Sequence, residues 1–106
     1  EGSGATGTIT ASPVDTTAPT VRITSPKANG TVPKGKTTTI AATATDAGGV
    51  ARVEFRVNGA LVCTDTASPY ACAWAVPKVV ATFTIAVTAV DPTGNPATAT
   101  ITVRSK

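Results

Sequence analysis

Apolar and polar residues alternate along much of this chain, and threonine recurs on the polar side. Thr39-Ile40-Ala41-Ala42-Thr43-Ala44-Thr45, Thr82-Phe83-Thr84-Ile85-Ala86-Val87-Thr88-Ala89 and Thr98-Ala99-Thr100-Ile101-Thr102-Val103 follow a period of two. Such a period sends successive side chains to opposite faces of a sheet, one buried and one wet. Threonine suits the wet face because its β-branch tolerates strand geometry and its hydroxyl stays hydrated.

From Thr20 onward the pattern predicts seven short strands. Val21 and Ile23 flank Arg22 in the first. Residues 25–30 form a turn, and residues 32–36 carry the chain round to the second strand, where Ile40, Ala42 and Ala44 point inward. Asp46-Ala47-Gly48-Gly49 ends it. The third, residues 50–57, turns Val53, Phe55 and Val57 in and Arg52, Glu54 and Arg56 out. Asn58-Gly59 then predicts a two-residue type I′ hairpin, because both central residues of that turn need positive φ. Leu61 and Cys63 are the inward set of the fourth strand. Tyr70, Cys72, Trp74 and Val76 are that of the fifth, and Phe83, Ile85, Val87 and Ala89 that of the sixth. Residues 91–96 turn the chain into a seventh strand over 97–104. No helical period competes, so the pattern predicts an all-β, two-sheet antiparallel sandwich.

Length and composition narrow the setting. A chain of 106 residues makes one domain. Residues 1–19, rich in Gly, Thr, Ser and Pro, read as a flexible interdomain linker, with the sandwich over 20–106. Within the linker, Gly7-Thr8-Ile9-Thr10-Ala11 reads as the frayed last strand of a preceding domain. The lack of any methionine, position 1 included, reads as a processed piece of something longer, with any secretion signal upstream. No apolar run approaches the roughly 20 residues that span a bilayer. The net charge of +3 comes with lysines in loops, not the basic stripe interleaved with aromatics of a nucleic-acid binder.

Cys63 and Cys72 are the only cysteines, and there is no histidine to complete a metal site with them. A CxxC redox motif is absent too, which leaves a disulfide or two buried thiols. Both cysteines alternate in phase with apolar neighbours on strands expected to lie side by side, which favours the disulfide. A structural bridge fits an extracellular or periplasmic setting.

Several runs resemble the bacterial immunoglobulin-like domains found, often in tandem, in secreted hydrolases and surface proteins. Asp15-Thr16-Thr17-Ala18-Pro19-Thr20-Val21 and Ile23-Thr24-Ser25-Pro26 with Gly30 open the pattern. Val50-Ala51-Arg52-Val53-Glu54-Phe55 and Val57-Asn58-Gly59 continue it. Thr64-Asp65-Thr66-Ala67-Ser68-Pro69-Tyr70 and Ala89-Val90-Asp91-Pro92-Thr93-Gly94-Asn95 close it. The resemblance covers about residues 15–104. It implies an immunoglobulin-like sandwich of about seven strands, acting as a non-catalytic accessory module that spaces, stabilises or presents neighbouring domains of the same secreted or cell-surface polypeptide. It carries over no catalytic residue, and the cysteine pair departs from much of the family.

The residues themselves point the same way. Without histidine neither a Ser-His-Asp nor a Cys-His arrangement can be built, so the chain does not read as an enzyme. Adhesion to polysaccharide or a cell surface would need exposed aromatic faces. Trp74, Phe55 and Phe83 instead fall in the inward phase and read as core, while Tyr70 stands at a strand start within reach of solvent. Alternating strand directions put Asp15, Asp46, Asp65 and Asp91 at one end. There they are either turn residues or, with turn carbonyls, ligands of a calcium ion that rigidifies the module. No other cofactor is implied. Lys27, Lys34, Lys36, Lys78, Arg104 and Lys106 gather at the opposite end, a polarity that suits head-to-tail docking of similar modules.

Overall fold

The described residues of this computed structural model, 18–106, form eight strands and no helix. They are β1 (Thr20–Ser25), β2 (Thr31–Val32), β3 (Thr37–Thr45), β4 (Arg52–Val57), β5 (Ala60–Asp65), β6 (Tyr70–Ala75), β7 (Thr82–Val90) and β8 (Pro96–Ser105). Asp15, the Gly7–Ala11 segment and most of the expected linker lie outside the described residues.

The strands form two sheets, ordered β1-β3-β6 and β2-β8-β7-β4-β5. All pairings are antiparallel except β2 with β8, where Thr31 and Val32 lie beside Arg104 and Ser105. β2 is the strand that sequence reading assigned to a loop. Two residues before Pro33 carry no periodicity, and their pairing exists only because β8 arrives beside them from the far end of the chain.

The two sheets face each other through the alternating apolar residues. Ile40, Ala42, Cys72 and Trp74 come from the smaller sheet; Val53, Phe55, Phe83, Ile85, Val87 and Val103 come from the larger. Tyr70 is buried as well. Trp74 meets Phe83 edge to face across the layers, with centroids 5.1 Å apart and planes at 76°, a favoured aromatic geometry. The threonines sit outside, and Thr88 and Thr98 share a hydroxyl hydrogen bond of 2.9 Å across β7 and β8.

At the hairpin, Asn58 and Gly59 take φ of 51° and 85°, the left-handed values that the Asn-Gly pair predicts. Asn58 also reaches outside its own hairpin. Its Oδ1 accepts the Thr84 amide at 2.9 Å while its amide donates to Thr84 O at 2.8 Å, tying the turn to β7.

Two expectations need correction. Leu61 does not point inward. Phe55 lies opposite Cys63 while Arg56 lies opposite Leu61, so Val62 is an extra residue in β5. This bulge reverses the phase: Val62 leans on the core and Leu61 is 55 % exposed. Nor are the two cysteines on paired strands. β5 edges the larger sheet and β6 the smaller, so the Cys63–Cys72 bridge, with Cα atoms 6.2 Å apart, staples one sheet to the other. Closing a loop of about 10 residues contributes about 2.7 kcal/mol in the chain-entropy model. Reduction is therefore expected to lower the urea midpoint by that equivalent. Alkylation before reduction should add no mass to the denatured chain.

Candidate functional site

Strand pairing decides which loops share an end. β3 finishes at Thr45 opposite Thr20, the first residue of β1. Asp65 closes β5 opposite Val53, and the Ala51 amide donates to Val90 O at 2.7 Å just before Asp91. Asp46, Asp65 and Asp91 therefore lie at one end of the sandwich.

Each serves its own turn. Asp91 is fully buried; its Oδ1 accepts the Thr93 amide (3.0 Å), the Thr93 hydroxyl (2.9 Å) and the Asn95 amide (2.8 Å), and its Oδ2 accepts Asn95 Nδ2 (2.9 Å). Gly94, at φ 91°, makes the tight return that brings Asn95 back onto the carboxylate. Asp65 accepts the Ala67 amide on Oδ1 and the Ala71 amide on Oδ2, both at 3.1 Å. The second bond occupies an amide of edge strand β6, the kind of group that otherwise invites another strand. Asp46 accepts the Gly48 amide at 3.2 Å on Oδ1, while its Oδ2 is buried with no hydrogen-bond partner among the described residues.

A calcium ion wants six to eight oxygens. The carboxylates of Asp65 and Asp91 are taken up by amides and hydroxyls, and no three acidic, Cys or His side chains among the described residues come together to hold a metal. The arrangement among the described residues fits a set of Asp-anchored turns, and Asp15, the fourth carboxylate of the expected calcium set, lies outside them.

On the larger sheet, strand β4 carries Arg52, Glu54 and Arg56. Glu54 accepts from Arg52 Nε and Arg56 Nη1, each at 2.8 Å. These bonds, Arg52 first, hold its carboxyl below the usual carboxylate range, and the backbone amides of Ala67 and then Ala71 do the same for Asp65. A folded-state pKa below the unfolded one contributes stability above the unfolded value, and that contribution is lost as pH falls through the folded one. Stability is thus expected to decline below about pH 4. Glu54→Gln should make the acid limb of a denaturation–pH profile shallower, and an unchanged limb would contradict the assignment.

At the other end, Lys34 and Lys36 flank Gly35, whose amide donates to Val76 O (3.0 Å) and Pro77 O (3.1 Å), next to Lys78. Lys106 joins them through a Lys34 amide bond to its carbonyl. Lys27 stands farther back, in a turn whose Asn29 amide donates to Thr102 O. Sequence reading missed Thr93 and Asn95 as Asp91's partners, although an Asp followed by hydroxyl and amide residues two and four places on is a signal for such a turn. It also missed Ser105, a buried hydroxyl whose neighbours come from a distant loop.

All four aromatic residues, Phe55, Tyr70, Trp74 and Phe83, are buried, so none offers a stacking surface. The family described as Bacterial Ig domain matches residues 19–103. The chain belongs to this family. The Ig domain is also similar in structure to the Clostridium thermocellum CbhA fibronectin(III)-like modules, with 31% identity and a TM-score of 0.77. That similarity covers 84% of this chain and 47% of the other, so the Ig domain spans about half the length of that structure. None of the curated proteins compared matches it. Ig-like and fibronectin(III)-like modules are in general non-catalytic parts of multidomain proteins.

Proposed function

We propose that this Ig domain is a non-catalytic spacer in a secreted or surface bacterial protein, holding neighbouring domains of the same polypeptide at a set separation. The family match over residues 19–103 carries the reading. Two features support it. Asp46, Asp65 and Asp91 anchor turns at one end, and the inter-sheet disulfide suits an oxidising compartment.

Residues 18–106 placed between two fluorescent proteins should hold them at a single narrow separation. A Gly/Ser linker of equal residue count should give a broad distribution. The isolated chain should pass unretained over insoluble polysaccharides. Broad separations, or retention on a polysaccharide, would overturn the proposal.

A further inference from the structure

Four strands stand at sheet edges, and among the described residues three of them are blunted. β1 carries a register shift between Ile23 and Ser25, β2 is two residues long and stops at Pro33, and β5 carries the bulge at Val62. Shortness, proline and bulges keep an edge from pairing. β6 has none of them: Tyr70–Ala75 holds no charge and no proline, and its register with β3 is unbroken. Its open side is fixed by alternation. The Val76 amide donates to Lys36 O, so Val76, Trp74, Cys72 and Tyr70 bond toward β3. Ala71, Ala73 and Ala75 therefore aim their amides and carbonyls outward. Asp65 takes the Ala71 amide, and no described residue takes those of Ala73 and Ala75.

We propose that this edge pairs with the same edge of a second copy of the chain, antiparallel about a two-fold axis at Trp74. The inference goes beyond the spacer reading, because it joins two polypeptides side by side. Ala73 of each copy exchanges both backbone hydrogen bonds with Ala75 of the other, as facing residues of an antiparallel ladder do. The same register brings Ala71 opposite the partner's Pro77. The Ala71 amide is already held by Asp65, and proline has no amide to satisfy and a carbonyl that accepts Gly35. Two observations select a copy over a foreign strand. Peptides that add to an edge gain specificity from pockets for alternate side chains. Here Cys72 and Trp74 are buried inward, and only alanine methyls face out. Charge is also complementary: two-fold pairing sets Asp65 beside the partner's Lys78, whereas parallel strands would set Asp65 beside its own copy. The carboxylate keeps its charge while accepting both amides, so it orients the contact without giving up either bond. The contact is isologous and closes at two chains.

Sedimentation and amide exchange of the full 106-residue chain at rising concentration test this. The mass should climb from one chain toward two and stop there, and exchange at Ala73 and Ala75 should slow in step. Cys72, already bonded to β3, should show no such change. Ala73→Pro should hold the chain at a single mass, since proline fits an edge strand where the lost amide faces solvent. Lys78→Glu should lower the dimer fraction at a given concentration, and Trp74 emission reports that both variants fold. A single mass for the unaltered chain at every concentration would overturn the inference, as would a dimer that either variant leaves at full strength. So would slow exchange at Ala73 and Ala75 that ignores concentration, which would mean that a segment of the same chain covers the edge.

Discussion

Replacing Trp74 with alanine is expected to lower the unfolding free energy by about 3–5 kcal/mol, read as a fall in the urea midpoint at constant slope. The indole is 5 % exposed and fills the space between the sheets. Truncation removes its apolar area and its edge-to-face contact with Phe83 together. Both sheets are held in place by strand pairing and by the Cys63–Cys72 staple, so neither can close fully over the cavity. A loss of that size is a large part of the stability of an ordinary small domain. In the intact protein Trp74 emission should be blue-shifted and poorly quenched by iodide. Leu61→Ala supplies the contrast: that side chain lies outside the bulge on the wet face, and its removal should cost less than about 0.5 kcal/mol. Equal losses for the two variants would mean that Trp74 does not anchor the core.

The second large effect belongs to a carboxylate. Asp91→Ala is expected to destabilise by about 3 kcal/mol. It deprives two backbone amides, a hydroxyl and a side-chain amide of the acceptor around which the β7–β8 turn is wound. Asp91→Asn should cost less, because one oxygen can still accept from the Thr93 and Asn95 amides. The nitrogen that replaces the other oxygen would then face Asn95 Nδ2, donor to donor. Exchange of the amides of residues 93–95 should speed up in both variants, more in the alanine. A loss no greater than that of an exposed Asp would contradict the role of Asp91 as the turn's buried centre.

The strands that sequence reading found most securely are those whose burial alternates without interruption. β6 and β7 follow the predicted phase from Tyr70 to Ala75 and through most of Thr82 to Val90. There the signal is local: one face meets the other sheet, the other meets water, and the side-chain period of two records this directly. The Asn58-Gly59 turn was equally legible, since its backbone demands residues that tolerate positive φ. β5 was misread for the same reason that the others were clear. Val62 inserts one residue, and beyond it every side chain changes face without any change in composition.

The candidate site divides along similar lines. Counting alternating strands is enough to bring Asp46, Asp65 and Asp91 to one end, because short connections fix strand direction. What those carboxylates do there was beyond counting. Whether Asp91 faces water or closes a buried turn depends on how residues 93–95 fold back around its carboxylate. The β6-edge amide that Asp65 accepts lies across a loop whose path composition does not state.

The amino-acid sequence by itself determined the fold class, the hairpin and the core aromatics, because each follows from local side-chain period and turn chemistry, and it brought Asp46, Asp65 and Asp91 to one end through the alternation of strand directions. Only the tertiary structure decided the β2–β8 pairing, the bulge that exposes Leu61, the disulfide's place between sheets, and the hydrogen bond from the Ala81 amide to the Ser105 hydroxyl. Each of these joins segments that meet only once both sheets have formed, and their geometry is set by packing between layers, which no local pattern encodes.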